Sequence, residues 1–213
     1  MNYIFIRIII LSLCLFSTVG CSKQKIRELE ISSLYNAETD SFDLHGYAPS
    51  TNWREICEKL GIIDKVKKDD KNRFYINSIA DIYPNSKGYI TLGKVVINGI
   101  PARVSYRFYR EKLYSVQYAF ELGNKKNKER REIFEEIESV LSEEFADFTS
   151  HKEDNYFSCY FSWFAGTEGS MSRLLLFYSI DSDSGELHIA LNVTHDIPGN
   201  ERVTTYYFDN VVN

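Results

Sequence analysis

The sequence predicts an α+β fold: an antiparallel β-sheet of six to eight strands with two helices packed on one face. Three observations carry this. Ile133, Phe134, Ile137, Val140, Leu141, Phe145 and Phe148 recur at helical spacing and form one apolar stripe over residues 127–147. Asn98-Gly99, set between two alternating runs, is the strongest short hairpin signal a sequence can carry. Several further segments alternate apolar and polar residues with the period of two that turns one side of a strand toward a core.

The elements follow in order. A first helix is expected over 52–60, where Asn52 and Glu55 have capping-box spacing and Trp53, Ile56, Cys57 and Leu60 share a face. Gly61 supplies its stop. A charged turn over 65–71 leads to a strand at 73–79. Strands at 89–97 and 103–109 flank the Asn98-Gly99 turn, and Arg110-Glu111-Lys112 reverses the chain into 113–121, which makes an antiparallel meander. After the long helix come strands at 155–165, 173–180 and 186–194, with 202–208 as a last edge strand. The helix–strands–helix–strands order suggests a duplicated helix-plus-meander unit, although no matching residues mark a repeat.

Sheet and helices are expected to pack as two layers. Leu187, Ile189, Leu191 and Val193 fall on one side of their strand, against His188, Ala190, Asn192 and Thr194. Phe157, Cys159, Phe161 and Trp163 oppose Tyr156, Ser158, Tyr160 and Ser162, while Val104, Tyr106 and Phe108 oppose Ser105, Arg107 and Tyr109. The second side is rich in Tyr, Ser, Arg and His. Tyrosine and arginine give large contact area with a polar tip and are enriched where proteins bind partners. Arg107, Tyr109, Gln117, Tyr156, Tyr160, Ser162 and His188 are therefore the candidate binding face, for a protein, peptide or glycan. Tyr, Ser and Thr also suit exposed strand positions without any partner.

Composition supports one folded domain. The chain is 44% hydrophobic and 26% charged with only 4 Pro, apolar enough to bury a core. A formal net charge of −5 gives no electrostatic case for nucleic acid.

Residues 1–20 differ from the rest. Arg7 is their only charge, and the apolar run 8–16 is shorter than the roughly 20 residues a bilayer span needs. Basic start, short apolar stretch and small residues at the end are the parts of a secretory leader. Thr18-Val19-Gly20-Cys21 then resembles the lipobox of bacterial lipoprotein precursors, with Thr18 where leucine is commonest. The resemblance covers only about the first tenth of the chain. It implies a leader over 1–20, a Cys21 carrying diacylglycerol and a fatty acyl chain such as palmitate, and a cell-envelope location. With Ser22 following, it implies the outer membrane facing the periplasm if the host is Gram-negative. An ordinary signal peptidase would also accept the small residues Thr18 and Gly20. Residues 21–40 are expected as a tether and 41–213 as the domain.

With Cys21 acylated, Cys57 and Cys159 form the only internal pair open to a disulfide, and buried free thiols are the alternative. None of His45, His151, His188 and His195 stands at zinc-ligand spacing, so surface histidines and no metal are expected. Asp181-Ser182-Asp183-Ser184-Gly185 resembles the start of a calcium loop, but its twelfth position is Asn192, and a hairpin turn accounts for it. No G-x-S-x-G elbow is present. Lys125, Lys126, Lys128, Arg130 and Arg131 open the long helix, against its dipole, as a solvated face or an anion-binding patch. The expectation is a lipid-anchored binding or assembly module without enzymatic activity or cofactor. The alternatives are a periplasmic inhibitor or immunity-type protein and, less favoured, a hydrolase with a dispersed site.

Overall fold

Alternating strands joined by tight turns pair into one large sheet. The computed structural model describes residues 26–68, 74–76, 80–82, 87–155 and 157–212. The strands are, in chain order, Arg27–Glu28 (β1), Tyr35–Asn36 (β2), Ser41–Phe42 (β3), Val66–Lys68 (β4), Phe74–Ile76 (β5), Ala80–Ile82 (β6), Lys87–Ile97 (β7), Ile100–Tyr109 (β8), Lys112–Phe120 (β9), Thr149–Asp154 (β10), Ser158–Ala165 (β11), Ser172–Ile180 (β12) and Leu187–His195 (β13). The helices are Trp53–Lys59 (α1), Asn127–Glu144 (α2) and Arg202–Tyr207 (α3), the last continued by a π-helical turn, Phe208–Val212. None of the described helices is long and apolar enough to cross a membrane.

The main sheet has eight strands in the order β1-β7-β8-β9-β13-β12-β11-β10. It is antiparallel throughout except for β1, which lies parallel to β7. The fold is thus α+β, with a strand count inside the expected range. Asn98 (φ 49°) and Gly99 (φ 73°) close the β7–β8 hairpin as the sequence predicts. At the β8–β9 turn the same left-handed conformation is imposed on Arg110 (φ 48°) and Glu111 (φ 66°), which lack glycine's freedom.

The last strands of two meanders, β9 and β13, pair at the centre, with Val116 opposite Val193 and Tyr118 opposite Leu191. Each long meander has its own helix, and each helix starts on the hairpin between that meander's last two strands. Asn52 accepts from Arg54 N at 3.0 Å as the cap of α1, and Trp53 N donates to Glu111 O at 3.1 Å beside the β8–β9 turn. Asn127 at the start of α2 donates to Gly185 O (2.8 Å) and accepts from Leu187 N (2.9 Å) at the β12–β13 turn. A helix therefore precedes each meander in the chain, which is the element order the sequence suggests.

Trp53, Ile56 and Cys57 of α1, and Phe134, Ile137 and Leu141 of α2, join one core cluster with the inward residues of β8, β9, β12 and β13. Burying side chains of this size stabilises the fold by about 1.5–3 kcal/mol each.

Four expectations are corrected. Residues 202–208 are helical, not an edge strand: winding brings Val203, Tyr206 and Tyr207 onto one face against Phe164 and Met171. The strand expected over 155–165 is broken by a turn in which Asn155 Oδ1 accepts from Phe157 N and Ser158 N, each at 3.0 Å, so the polar β10 precedes it as a separate edge strand. The tether expected over 21–40 is part of the domain from Arg27, with Leu29 and Leu34 buried in the core. Phe148 leaves the helical stripe and packs instead on Tyr35 and Phe42, at 4.8 and 5.6 Å between ring centres. The strand expected at 73–79 appears as β5 and β6 of a small sheet with β4, and residues 73 and 77–79 lie outside the described residues.

Candidate functional site

The strand registers place every second residue of the sheet on the side opposite the main core. One row across it reads Thr149, Phe164, Arg173, Thr194, Ser115, Arg107; the next reads His151, Ser162, Leu175, Asn192, Gln117, Ser105. Two arginines thus flank a pair of hydroxyls, above a row of hydroxyls and amides.

At the centre, Ser115, Asn192 and Thr194 are buried and satisfy one another. Ser115 Oγ donates to Asn192 Oδ1 at 2.7 Å, Asn192 Nδ2 to Thr194 Oγ1 at 3.4 Å, and Thr194 Oγ1 to Ser115 Oγ at 3.2 Å. Each of these three side chains therefore has a partner, as burial demands. To one side, Arg107 Nη2 donates to Gln117 Oε1 at 2.5 Å. To the other, the half-buried Arg173 guanidinium lies 4.7 Å from the centre of the Tyr206 ring on α3. Burial lowers the Arg173 pKa, and its Nε, like the buried Ser162 Oγ, has no hydrogen-bond partner among the described residues.

The predicted face is distributed as two patches. Arg107 and Gln117 meet on β8 and β9, with Tyr109 nearby under the Arg110 guanidinium at 5.3 Å. Tyr160 stacks on Phe177 at 6.0 Å, and Ser162 is buried beside it on β11. Three strand intervals, roughly 14 Å, separate Gln117 from Ser162. Asn192 and Leu175, both buried, fill the interval. His188 is exposed on β13, and Tyr156 lies outside the described residues. Sequence reasoning did not single out Arg173, Thr194, Asn192 and Ser115. The available signal was the polar parity of Asn192 and Thr194 inside an otherwise apolar strand.

Several other candidates are already engaged. Arg130 is 5% exposed and donates to three backbone carbonyls, so it does not belong to a free basic patch. Arg131 stacks 5.1 Å from the Tyr178 ring. Asp181 Oδ1 accepts from Asp183 N, Ser184 N and Ser184 Oγ at 2.8–3.0 Å, which is hairpin-turn chemistry and holds its pKa down. Cys57 and Cys159 are buried free thiols, not a disulfide; burial raises both, Cys57 to about 11. They sit on different elements, α1 and β11.

Two histidines expected at the surface are built into the fold. His195 is 4% exposed, and its Nε2 donates to the Phe42 carbonyl, while Ser172 Oγ accepts from Phe42 N at 2.9 Å. Together they pin β3 across the ends of β12 and β13. The adjacent Asp196 accepts from Val203 N (2.8 Å) and Thr204 N (3.0 Å) and caps α3. Phe42, His195 and Asp196 border an open cleft of about 780 Å³ between the 39–50 loop and the 166–170 turn. There Gly166 (φ 93°) is required, since a Cβ would stand 2.8 Å from Ser170 O. His45, at φ 60°, sits in the Leu44–Tyr47 turn with Nδ1 3.2 Å from the Tyr118 hydroxyl.

Burial lowers the pKa of both His45 and His195 below the ordinary 6.5. The unfolded chain then binds more protons than the folded one once pH drops through that value, so acid favours unfolding. Stability should be level above about pH 7 and fall as pH drops below about 6.5. Urea midpoints at pH 7.5 and 5.5 measure this, and His195→Gln, which keeps a donor for Phe42, should reduce the drop. Equal midpoints at the two pH values would contradict it.

Comparison with protein-family models, curated proteins and solved structures finds no match to this chain.

Proposed function

We propose that this chain is a lipid-anchored envelope lipoprotein whose folded domain is a non-enzymatic binding or assembly module. It would capture a protein, peptide or glycan on the polar side of its main sheet, with α1 and α2 covering the other side. The observation that carries this is the half-buried Arg107–Gln117 pair, held on rigid, paired strands beside the buried Ser115–Asn192–Thr194 network. Such a pair offers guanidinium and amide groups without a flexible loop, so little entropy is lost when a partner docks. The Tyr160–Phe177 stack adds an aromatic patch of the kind that anchors interfaces. The lipobox-like Thr18-Val19-Gly20-Cys21 and the leader before it support the anchor.

The test is affinity capture from the host's own envelope with wild type, Arg107→Ala, Tyr160→Ala and the double variant. Hot-spot residues cost about 2 kcal/mol or more on truncation, so each single change should weaken capture about thirtyfold and the pair should abolish it. Because the two patches are well separated, a loss confined to one single variant assigns the partner to that patch. Unchanged capture by the double variant would reject the reading.

A further inference from the structure

A second cleft, of about 560 Å³, opens at the β1–β7 edge of the sheet, and its lining is one-sided in charge. Arg27, Lys94 and Arg103 border it, and among the described residues no carboxylate does, on a chain whose formal net charge is −5. Glu121 pairs with Lys94 (2.7 Å) and Arg103 (3.4 Å) from outside the lining; Arg27 has no ion pair among the described residues. The rim holds two of the four large hydrophobic side chains that the described residues leave exposed, Ile26 at 51% and Leu60 at 40%. A bulge lies here between Thr91 and Lys94, with Gly93 at φ 85°. His45 and Tyr106 form part of the lining.

Position along the chain says what this surface meets. Ile26 follows Cys21 by five residues, which reach at most about 18 Å when extended. A lipid on Cys21 therefore holds this cleft within that distance of the leaflet. We propose that the cleft docks on the membrane that carries the anchor, with Arg27, Lys94 and Arg103 taking anionic phospholipid headgroups and Ile26 and Leu60 entering the headgroup layer. This rests on the lipid anchor proposed above. The docking fixes the orientation of the domain: the β10–β11 side of the sheet, with Tyr160 and Ser162, points away from the bilayer. The opposite edge, β10, is seven strand intervals, roughly 34 Å, from β1.

The mature protein, purified with its lipid and reconstituted in phosphatidylethanolamine–phosphatidylglycerol vesicles, tests this. Leu60→Cys and Phe157→Cys variants take a fluorophore at one exposed site each, because Cys57 and Cys159 are buried and Cys21 is acylated. A headgroup nitroxide lipid should quench the probe at 60 and leave the probe at 157 bright. Changing Arg27, Lys94 and Arg103 to Gln should reduce docking about fivefold per charge, the factor for the ~1 kcal/mol a basic group gains beside an anionic leaflet. Equal quenching at 60 and 157, or quenching at 60 that persists in pure phosphatidylcholine, overturns the docking while the anchor stands. Absence of acyl mass on Cys21 in the same preparation overturns the anchor, and the docking with it.

Discussion

Replacing Arg130 by Met should destabilise the domain by about 3 kcal/mol, the upper end for buried carbonyls that lose a charged hydrogen-bond donor. The guanidinium is nearly inaccessible and works as a three-way clamp. Nε donates to Lys125 O at 2.7 Å, Nη1 to Leu187 O at 2.9 Å and Nη2 to Gly123 O at 2.8 Å. It thereby joins the loop before α2 to the first residue of β13, beside the Asn127 contacts that hold the same junction. Met matches the length but leaves the buried Leu187 carbonyl unpaired, and an unpaired buried acceptor costs about 1–3 kcal/mol by itself. Lys restores the charge without the planar fork, so it can serve one carbonyl and should recover only part of the loss. The contact with Glu186, 3.5 Å away and 55% exposed, is not what the clamp depends on. Glu186→Gln should therefore change stability by less than about 1 kcal/mol. Urea unfolding of the three variants measures the ordering. A small effect of Arg130→Met alongside a large one of Glu186→Gln would mean that the ion pair, not the carbonyl clamp, holds α2.

Arg130 also shows where sequence reading stops. Read along the chain it is one of five cations at the start of a helix, and charge placed against the helix dipole suggests a surface patch. Its burial depends on the β12–β13 hairpin, 57 residues away, which no local pattern announces. The elements that were legible share a local cause: Asn98-Gly99 specifies its turn by backbone chirality, and the α2 stripe specifies its buried face by period. β10 was illegible because Thr149–Asp154 is an exposed polar edge strand with no apolar alternation to detect. α3 was misread because Tyr and Val are strand formers, and its winding is decided by Asp196 capping it and by Phe164 beneath it. The candidate site was half legible. Parity placed Arg107, Gln117 and Ser162 on one side of the sheet, but the strand order, with β13 and β12 between them, set their separation. The histidines at 45 and 195 were unreadable for the same reason, since their partners Tyr118 and Phe42 are 73 and 153 residues distant.

Substitution of Cys21 by Ala in the full chain should abolish incorporation of an alkyne-tagged fatty acid, an all-or-none result. The structure makes this a clean experiment. Cys57 and Cys159 are buried in the folded domain with thiols held above their ordinary pKa, so neither presents the exposed thiolate that acylation needs. Cys14 lies inside the proposed leader and leaves with it. Label on the wild-type mature chain should therefore map to its first residue alone. The consequence for membrane retention is as large. A single acyl chain holds a protein only marginally, and each further buried methylene adds about 0.8 kcal/mol, so diacylglycerol plus one amide-linked chain makes release negligible. The short span between Cys21 and the start of β1 would make a lipid on Cys21 matter for geometry as well as address, because a domain that begins five or six residues from such an anchor could not roam far from the surface. Label retained in Cys21→Ala, or a wild-type mature chain whose first thiol takes none, would remove both the anchor and the orientation argued from it.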